Sequence, residues 1–300
     1  MDELTAAGIT DPDLRASYAE CKRLNALHGK TYFLATLLLP KTKRPFVHAL
    51  YGFARYADEI VDDLASELSI EEKAQTLSMW GDGVLADLKR GTSQDQVGRA
   101  LIDTVKRFDI PHQHFEAFLH SMTMDLTVQE YETYEDLLEY VYGSAAVIGL
   151  EMVPILGPLH DDAFDAAKKL GIAFQLANFI RDVAEDLDRG RVYLPIKELA
   201  DFGVTREMLE ERVLTPEIIE ALKFQIARVR QLQAEAAPGI AMLEATSRPC
   251  IEAASTLYCG IVDEVEKIGY DIFNQRAKTS TARRIRVAGA AFIKRQLILR

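Results

Sequence analysis

Residues 178–195 read NFIRDVAEDLDRGRVYLP and are the most informative part of this chain. Asp182 and Asp186 are four residues apart, so on a helix they lie on one face, one turn from each other. Apolar neighbours such as Phe179 and Ile180 predict that this helix is largely buried. Two buried carboxylates repel each other unless a cation lies between them. The stretch therefore predicts a buried helix with a cation-binding face.

A second acidic segment lies about 120 residues earlier in the chain. Residues 55–63 read RYADEIVDD, and they place Asp58 and Asp62 four residues apart behind Arg55. In a chain with 46 acidic residues, one such pair is most simply a solvated helix face. The same arrangement of arginine and aspartates inside two apolar helices instead favours a metal site between them.

The residue types around the aspartates suit Mg²⁺ and phosphate. Mg²⁺ prefers oxygen ligands and binds through a few carboxylates together with substrate phosphates. Asn178 precedes Asp182 by one turn and offers an amide oxygen, although a hydrogen bond within the helix is an alternative role. Arg55 and Arg181 can bind phosphate oxygens bidentately, although ion pairs with the neighbouring aspartates are equally compatible. The pattern predicts an enzyme that acts on diphosphates.

Composition indicates one helical domain. The 300 residues are 48% hydrophobic, with only 17 glycines and 10 prolines, and neither a linker nor a repeat interrupts them. Ala, Leu, Glu, Lys and Gln are abundant and alternating β-branched runs are absent, which predicts helix nearly throughout. We expect one all-α domain over residues 1–300, with residues 1–15 and 285–300 peripheral.

Local signals predict where helices begin. Asp11 before Pro12 is typical of a helix start, and Ser69 with Glu72 is typical of a capping box. Thr133 with Asp136 resembles another cap. The acidic segments are predicted on long helices over 43–64 and 161–187. Further long helices are predicted around 215–237, 247–268 and 280–297.

Charge and cysteine content exclude several classes of protein. The net charge of −11 and pI near 5.1 argue against sequence-independent nucleic-acid binding. The three cysteines, Cys21, Cys250 and Cys259, have neither zinc nor redox spacing. No signal peptide is apparent, and the apolar run 145–156 is too short to span a bilayer. We expect a soluble, cytoplasmic protein, as a monomer or weak homodimer.

The C-terminal part is cationic. A solvated helix face is one interpretation of this cluster, and peripheral contact with anionic lipid headgroups is the other. The residues concerned are Arg283, Arg284, Arg286, Lys294, Arg295 and Arg300.

Together these motifs resemble the squalene/phytoene synthase family of head-to-head prenyl transferases, and most of all its bacterial phytoene synthases. The resemblance extends from about residue 20 to 280. The stretches that carry it are 28–33, 49–62, 175–186, 189–195 and 269–273.

The resemblance implies a class I isoprenoid synthase-type helical bundle around a central apolar channel, and it implies roles for individual residues. The implied metal ion is Mg²⁺, with Mn²⁺ as the alternative. Its implied ligands are Asp58, Asp62, Asn178, Asp182 and Asp186. Diphosphate binding is implied for Arg55 and Arg181, and for His28, Gly29, Lys30 and Thr31 at a helix start. The polar end of the channel would be completed by Tyr51, Gln175 and Tyr258, with Tyr140 near the intermediate; core packing is the alternative for each tyrosine.

The implied reaction joins two geranylgeranyl diphosphates through prephytoene diphosphate to phytoene, the first committed step of carotenoid biosynthesis, without NADPH. The alternative joins two farnesyl diphosphates to dehydrosqualene, or with NADPH to squalene. Head-to-tail elongation fits less well, because those enzymes use Asp-Asp-x-x-Asp where residues 58–62 read DEIVD. A non-catalytic scaffold of the same fold would be expected to lack these aspartates.

Three departures from the family pattern stand out. Gly29 occupies a position where many relatives have serine, and we expect a modest effect because the backbone N–H is kept. Residues 144–146 read SAA where many relatives have Val-Ala-Gly, which bears on chain-length preference. Gln275 and Arg276 stand where relatives often have two arginines, so the phosphate contact there is either lost or made by Arg276.

Overall fold

The computed structural model describes residues 1–62 and 68–298, with the side chain of Asp62 outside that description. Within these residues the chain forms sixteen α-helices and no β-strand, so the prediction of an all-α fold is confirmed. The N-terminal helices are α1 (Glu3–Ala6), α2 (Pro12–His28), α3 (Lys30–Thr36), α4 (Arg44–Asp62), α5 (Ile70–Arg90), α6 (Gln96–Phe108), α7 (His112–Thr127), α8 (Tyr134–Val141) and α9 (Val147–Leu156). The later helices are α10 (Asp162–Asp188), α11 (Ile196–Asp201), α12 (Arg206–Glu210), α13 (Pro216–Ile240), α14 (Arg248–Tyr258), α15 (Ile261–Lys267) and α16 (Thr281–Ile298).

The predicted helix starts are confirmed. Asp11 accepts a hydrogen bond from the Leu14 N–H at 2.8 Å, with Pro12 in the first turn of α2. Both capping boxes form reciprocally, Ser69 with Glu72 at the start of α5 and Thr133 with Asp136 at the start of α8. Each cap satisfies N–H groups that have no partner within the helix.

A π-helical turn, Tyr142–Ala146, joins α8 to α9, and the sequence analysis did not predict it. A Cβ atom added at Gly143 would lie 2.1 Å from the Ala117 carbonyl oxygen of α7, so only glycine allows this close approach. The Ser121 hydroxyl of α7 also donates to the Tyr140 carbonyl oxygen at 2.8 Å. These contacts with α7 accompany the wider turn, and π-turns often mark functional sites.

The π-turn makes Tyr134–Leu156 one continuous helical stretch of 23 residues. This stretch is longer than the apolar run expected from the sequence and passes a length-and-composition test for crossing a membrane. Half of its most apolar window is buried inside the protein, where α9 packs against α7 and α10.

The two acidic helices lie in two neighbouring clusters of buried apolar side chains. Leu50, Phe53 and Ala57 of α4 belong to the first cluster. Leu176 and Phe179 of α10 belong to the second. α10 packs against α9, α13, α14 and α15, which places the second acidic segment in the interior.

Candidate active site

Three cavities adjoin one another beside α10. The apolar cavity has a volume of about 400 Å³, the acidic cavity about 500 Å³ and the basic cavity about 260 Å³. Tyr51 and Gln175 line both the apolar and the acidic cavity. Tyr258 lines the apolar and basic cavities, and Arg181 lines the basic and acidic cavities. The predicted polar-end residues therefore lie where the cavities meet.

The acidic cavity brings together predicted metal ligands from both helices. Asp58 of α4 lines it together with Asn178, Asp182 and Asp186 of α10. The fifth predicted ligand, Asp62, has a side chain that lies outside the described residues. The spacing argument thus identified groups that share one cavity.

Two observations are consistent with a cation beside this donor set. The buried Oδ1 atom of Asn178 has no hydrogen-bond partner. Burial, and then the negative charge of Asp182, raises the pKa of Asp186 to about 7. An unsatisfied amide oxygen and a carboxylate that is difficult to ionise both gain from a positive ion nearby.

Within the described part of the chain, no three acidic, histidine or cysteine side chains are arranged to hold a metal ion. The carboxylates instead come from two helices that border a wide cavity. Mg²⁺ commonly binds through one or two carboxylates and completes its coordination with water and substrate phosphate. The arrangement is therefore compatible with a cation that is held jointly by protein and substrate.

Arg181 and Arg276 converge on one aspartate. Arg181 donates to Asp182 through Nε at 2.7 Å and through a terminal nitrogen at 2.5 Å. Arg276 lies 3.0 Å from the same carboxylate and 2.8 Å from Glu185. The ion pair considered as an alternative role for Arg181 is thus present, and both arginines also line the basic cavity.

Arg55 and His28 meet at Glu59, a residue to which the sequence analysis assigned no role. The Arg55 Nε atom lies 3.2 Å from Glu59 Oε1, and His28 Nε2 lies 3.8 Å from the same atom. Neither side chain belongs to the walls of the three cavities. Glu59 therefore joins the first acidic segment to the turn after α2.

The turn at Gly29 is tightly packed. A Cβ atom at Gly29 would lie 2.6 Å from the Tyr51 ring and 2.8 Å from Asn25 Oδ1. A serine here would displace Tyr51, so its effect should exceed the modest one expected from the retained N–H. Thr31, just inside α3, lines the basic cavity. Lys30 is absent from the walls of the three cavities.

The basic cavity contains two cations that sequence reasoning did not assign to substrate. Lys278 and Arg284 line it beside Thr31, Arg181 and Arg276. Both lie within a segment without acidic residues, since none occurs from residue 272 to 300. Charge composition was thus a usable signal, but it did not show that these side chains meet α3 and α10.

A family model for squalene/phytoene synthase matches residues 26–283. The chain belongs to the squalene/phytoene synthase family.

Relatives in this family are phytoene synthases by name. The chain is 34% identical to the 15-cis-phytoene synthase of Synechococcus elongatus, over 91% of each chain. It is 36% identical to phytoene synthase 1, chloroplastic, of Arabidopsis thaliana, over 94% of this chain and 67% of that one. These findings confirm the resemblance drawn from the motifs.

Solved structures confirm the fold. A dehydrosqualene synthase in complex with a ligand matches over the whole of both chains, with a TM-score of 0.85 and 27% identity. Squalene synthase HpnC from Alicyclobacillus acidocaldarius matches 88% of this chain and 98% of its own, with a TM-score of 0.80 and 24% identity. The predicted helical bundle with a central apolar channel is the fold of this squalene/phytoene synthase family member.

The structure places Tyr140 in the wall of the acidic cavity, where its hydroxyl binds Asp125. Tyr140 and Tyr193 donate to the two carboxylate oxygens of Asp125 at 2.8 and 2.7 Å, and Arg191 donates to its carbonyl at 2.6 Å. Burial, and then the charge of Asp125, raises the pKa of both hydroxyls. Both tyrosines therefore remain neutral donors.

Sequence reasoning missed Asp125 because it is a single acid near the end of α7, without a partner one turn away. Its only sequence signal was an ionisable residue in an apolar helix. Its partners come from α8 and from the segment after α10, which are distant in sequence. Only the folded chain brings the three groups together.

The π-turn contributes to the apolar cavity of this family member. Ser144 and Ala145 line the cavity, whereas Ala146 is buried in the core. The buried Ser144 hydroxyl oxygen has no hydrogen-bond partner and also borders the acidic cavity. The wall elsewhere is rich in small residues, including Ala163, Ala166, Ala167, Gly171, Ala236, Gly239 and Ala254.

Proposed function

We propose that this chain is a phytoene synthase that condenses two geranylgeranyl diphosphates head to head, through prephytoene diphosphate, to phytoene. The observation that supports this most is the junction of an apolar cavity with an acidic and a basic one at Tyr51, Gln175 and Tyr258. A prenyl diphosphate has the same division into an apolar chain and an anionic head. The names of the family relatives agree with this substrate class.

The basic cavity is proposed to hold a diphosphate. Arg181, Arg276, Lys278 and Arg284 provide cations there, and Thr31 provides a hydroxyl. Arginine binds phosphate oxygens with paired N–H groups, and Arg181 can exchange its bond to Asp182 for such a contact. Charge that develops on a leaving diphosphate is thereby stabilised by groups already in place.

The acidic cavity is proposed to hold Mg²⁺, with Mn²⁺ as the alternative. The ligands would be Asp58, Asn178, Asp182 and Asp186, with Asp62 as a further ligand whose side chain lies outside the described residues. Bound Mg²⁺ supplies neutralisation of the negative charge on the diphosphate. Asn178 and Asp186 carry this assignment, because the Asn178 amide oxygen lacks a hydrogen-bond donor and the Asp186 carboxyl has a raised pKa despite the nearby charges of Arg189 and Arg191.

The apolar cavity is proposed to protect carbocations from water. Allylic cations react with water, so their survival requires a dry wall. The cavity is lined mainly by aliphatic residues, with the aromatic rings of Phe174 and Tyr258 stacked 4.9 Å apart beside them. Aromatic faces attract cations. Loss of a proton then completes phytoene without a reductant, so NADPH is not expected to be needed.

A second candidate joins two farnesyl diphosphates to dehydrosqualene or squalene. It is favoured by the match with a dehydrosqualene synthase over both complete chains. The two candidates share the acidic and basic cavities and differ in the prenyl length that the apolar cavity accepts.

The test is a product assay. Purified protein is incubated with Mg²⁺ and either geranylgeranyl or farnesyl diphosphate, with and without NADPH, and hydrocarbons are identified by mass spectrometry. We expect a C40 product from the C20 substrate, independent of NADPH. A C30 product alone would overturn the phytoene assignment in favour of the second candidate. No hydrocarbon from either substrate would overturn both, and Asp58→Asn provides the inactive control.

A further inference from the structure

The helix α16 is attached to the protein along one side. It packs on α14, where the Lys294 ammonium lies 2.6 and 2.7 Å from the two carboxylate oxygens of Glu252. Arg283 pairs with Asp263 at 2.9 Å and with Glu264 at 2.6 Å. Ala291 is the one buried residue among those of the helix.

The opposite side of α16 exposes large apolar side chains. Ile285, Phe292, Ile293 and Leu297 are 67, 50, 62 and 66% exposed. Their spacing of seven, eight and twelve residues from Ile285 places them in one stripe along the helix. Single exposed apolar residues are ordinary, but a contiguous stripe of four indicates an interaction surface.

The charge around this stripe is positive. Residues 272–300 contain eight Lys and Arg residues and no Asp or Glu, whereas the whole chain has a net charge of −11. Three of the eight, Arg276, Arg283 and Lys294, are paired with acidic side chains of other helices. Arg286 lies beside the stripe, is exposed, and makes no ion pair with any part of the chain that the structure describes. An anionic surface complements this combination.

A second copy of the chain complements it less well. A two-fold dimer places the same patch of each copy against the other. Two α16 helices in contact would bring Arg286 and its basic neighbours together, and like charges repel. The surface therefore favours a partner that is both apolar and anionic.

We propose that α16 docks on the surface of a bilayer that contains anionic lipids. The helix lies in the plane of the interface, with Ile285, Phe292, Ile293 and Leu297 at the boundary between headgroups and acyl chains. Arg286 and the other cations then contact the headgroups. Arg284 lines the basic cavity, so docking places that cavity beside the membrane. This inference does not depend on the proposed reaction.

The test is sedimentation of the full chain with vesicles of phosphatidylcholine, with and without phosphatidylglycerol. We expect binding to the phosphatidylglycerol vesicles that weakens as salt is raised. The double variant Phe292→Gln, Ile293→Gln should bind at least tenfold more weakly. Arg286→Gln should bind roughly fivefold more weakly. The matched control is Leu159→Gln, Val213→Gln, which alters residues that are 64 and 59% exposed elsewhere and should bind like the parent.

A labelled variant provides a positive signal that does not rely on loss of binding. All three native cysteines are buried, so Phe292→Cys can be labelled selectively with a polarity-sensitive dye. Emission should shift to the blue on addition of phosphatidylglycerol vesicles, whereas dye on Leu159→Cys should not respond. The inference is overturned if the parent does not bind these vesicles, or if the double variant binds equally well. It is also overturned if light scattering shows a dimer that the double variant abolishes while vesicle binding is absent.

Discussion

Glu151 provides a sharp prediction about stability and pH. The side chain has 0% exposure in α9, and neither carboxylate oxygen has a hydrogen-bond partner. Burial raises the pKa of this carboxyl well above its usual range. In the unfolded chain the pKa returns to about 4.3. The folded protein therefore keeps a proton that the unfolded chain releases.

The sign of the effect follows from this difference. Above about pH 4.3 the unfolded state binds fewer protons than the folded state, so the free energy of unfolding falls as pH rises. For each pH unit, this single group raises the equilibrium constant for unfolding tenfold and so lowers the free energy of unfolding by about 1.4 kcal/mol. The effect continues until the carboxyl of the folded protein itself ionises. Glu151→Gln removes this dependence, because an amide does not titrate in this range.

We therefore expect the difference in unfolding free energy between Glu151→Gln and the parent to change with pH. For each increase of one pH unit, the variant should become more stable relative to the parent by about 1.4 kcal/mol. Urea unfolding at several pH values measures it, with the fluorescence of Trp80, the one tryptophan, as the signal. Glu139→Gln, at a position 67% exposed, is the matched control and should run parallel to the parent. If the unfolding free energy of Glu151→Gln also changed with pH in parallel with that of the parent, the argument that the buried Glu151 carboxyl is protonated would be refuted.

Four further predictions concern the site. Asp182→Asn should lower turnover by on the order of 10²-fold while the protein still folds, since it removes a proposed ligand at the acidic cavity; undiminished product formation would contradict the metal assignment. Asp125→Asn should cost about 1–3 kcal/mol in urea unfolding, because two buried tyrosine hydroxyls lose a charged acceptor; an unchanged midpoint would show that they find other acceptors. Arg284→Gln should raise KM roughly tenfold for the prenyl diphosphate, whereas Arg286→Gln, outside the basic cavity, should leave it unchanged in a lipid-free assay; equal effects would argue against that cavity as a phosphate site. Ala254→Leu should shift the ratio of kcat/KM values from geranylgeranyl towards farnesyl diphosphate by narrowing the apolar cavity, and an unaltered ratio would mean that this wall does not limit chain length.

Helix positions could be read from the sequence because the forces involved are local. Asp11 and the Ser69–Glu72 pair cap N–H groups within the first helical turn. Their residue types therefore indicate a helix start without knowledge of the rest of the chain. The aspartates at 58, 182 and 186 could be grouped for a related reason. An i, i+4 spacing places two side chains on one face wherever the helix lies, and the apolar neighbours show that this face is enclosed.

The tertiary structure was needed wherever partners are far apart in the chain. Asp125 meets Tyr140 and Tyr193 because α7, α8 and the segment after α10 converge, and no spacing in the sequence encodes that distance. Arg284 becomes a wall of the basic cavity, whereas Arg286, two residues later, faces outward, because α16 rests on α14 with one side only. The sequence thus specified which residues are able to bind metal, phosphate or lipid. Packing between distant helices decided which of them share a cavity, because burial and distance between side chains exist only once the chain has folded.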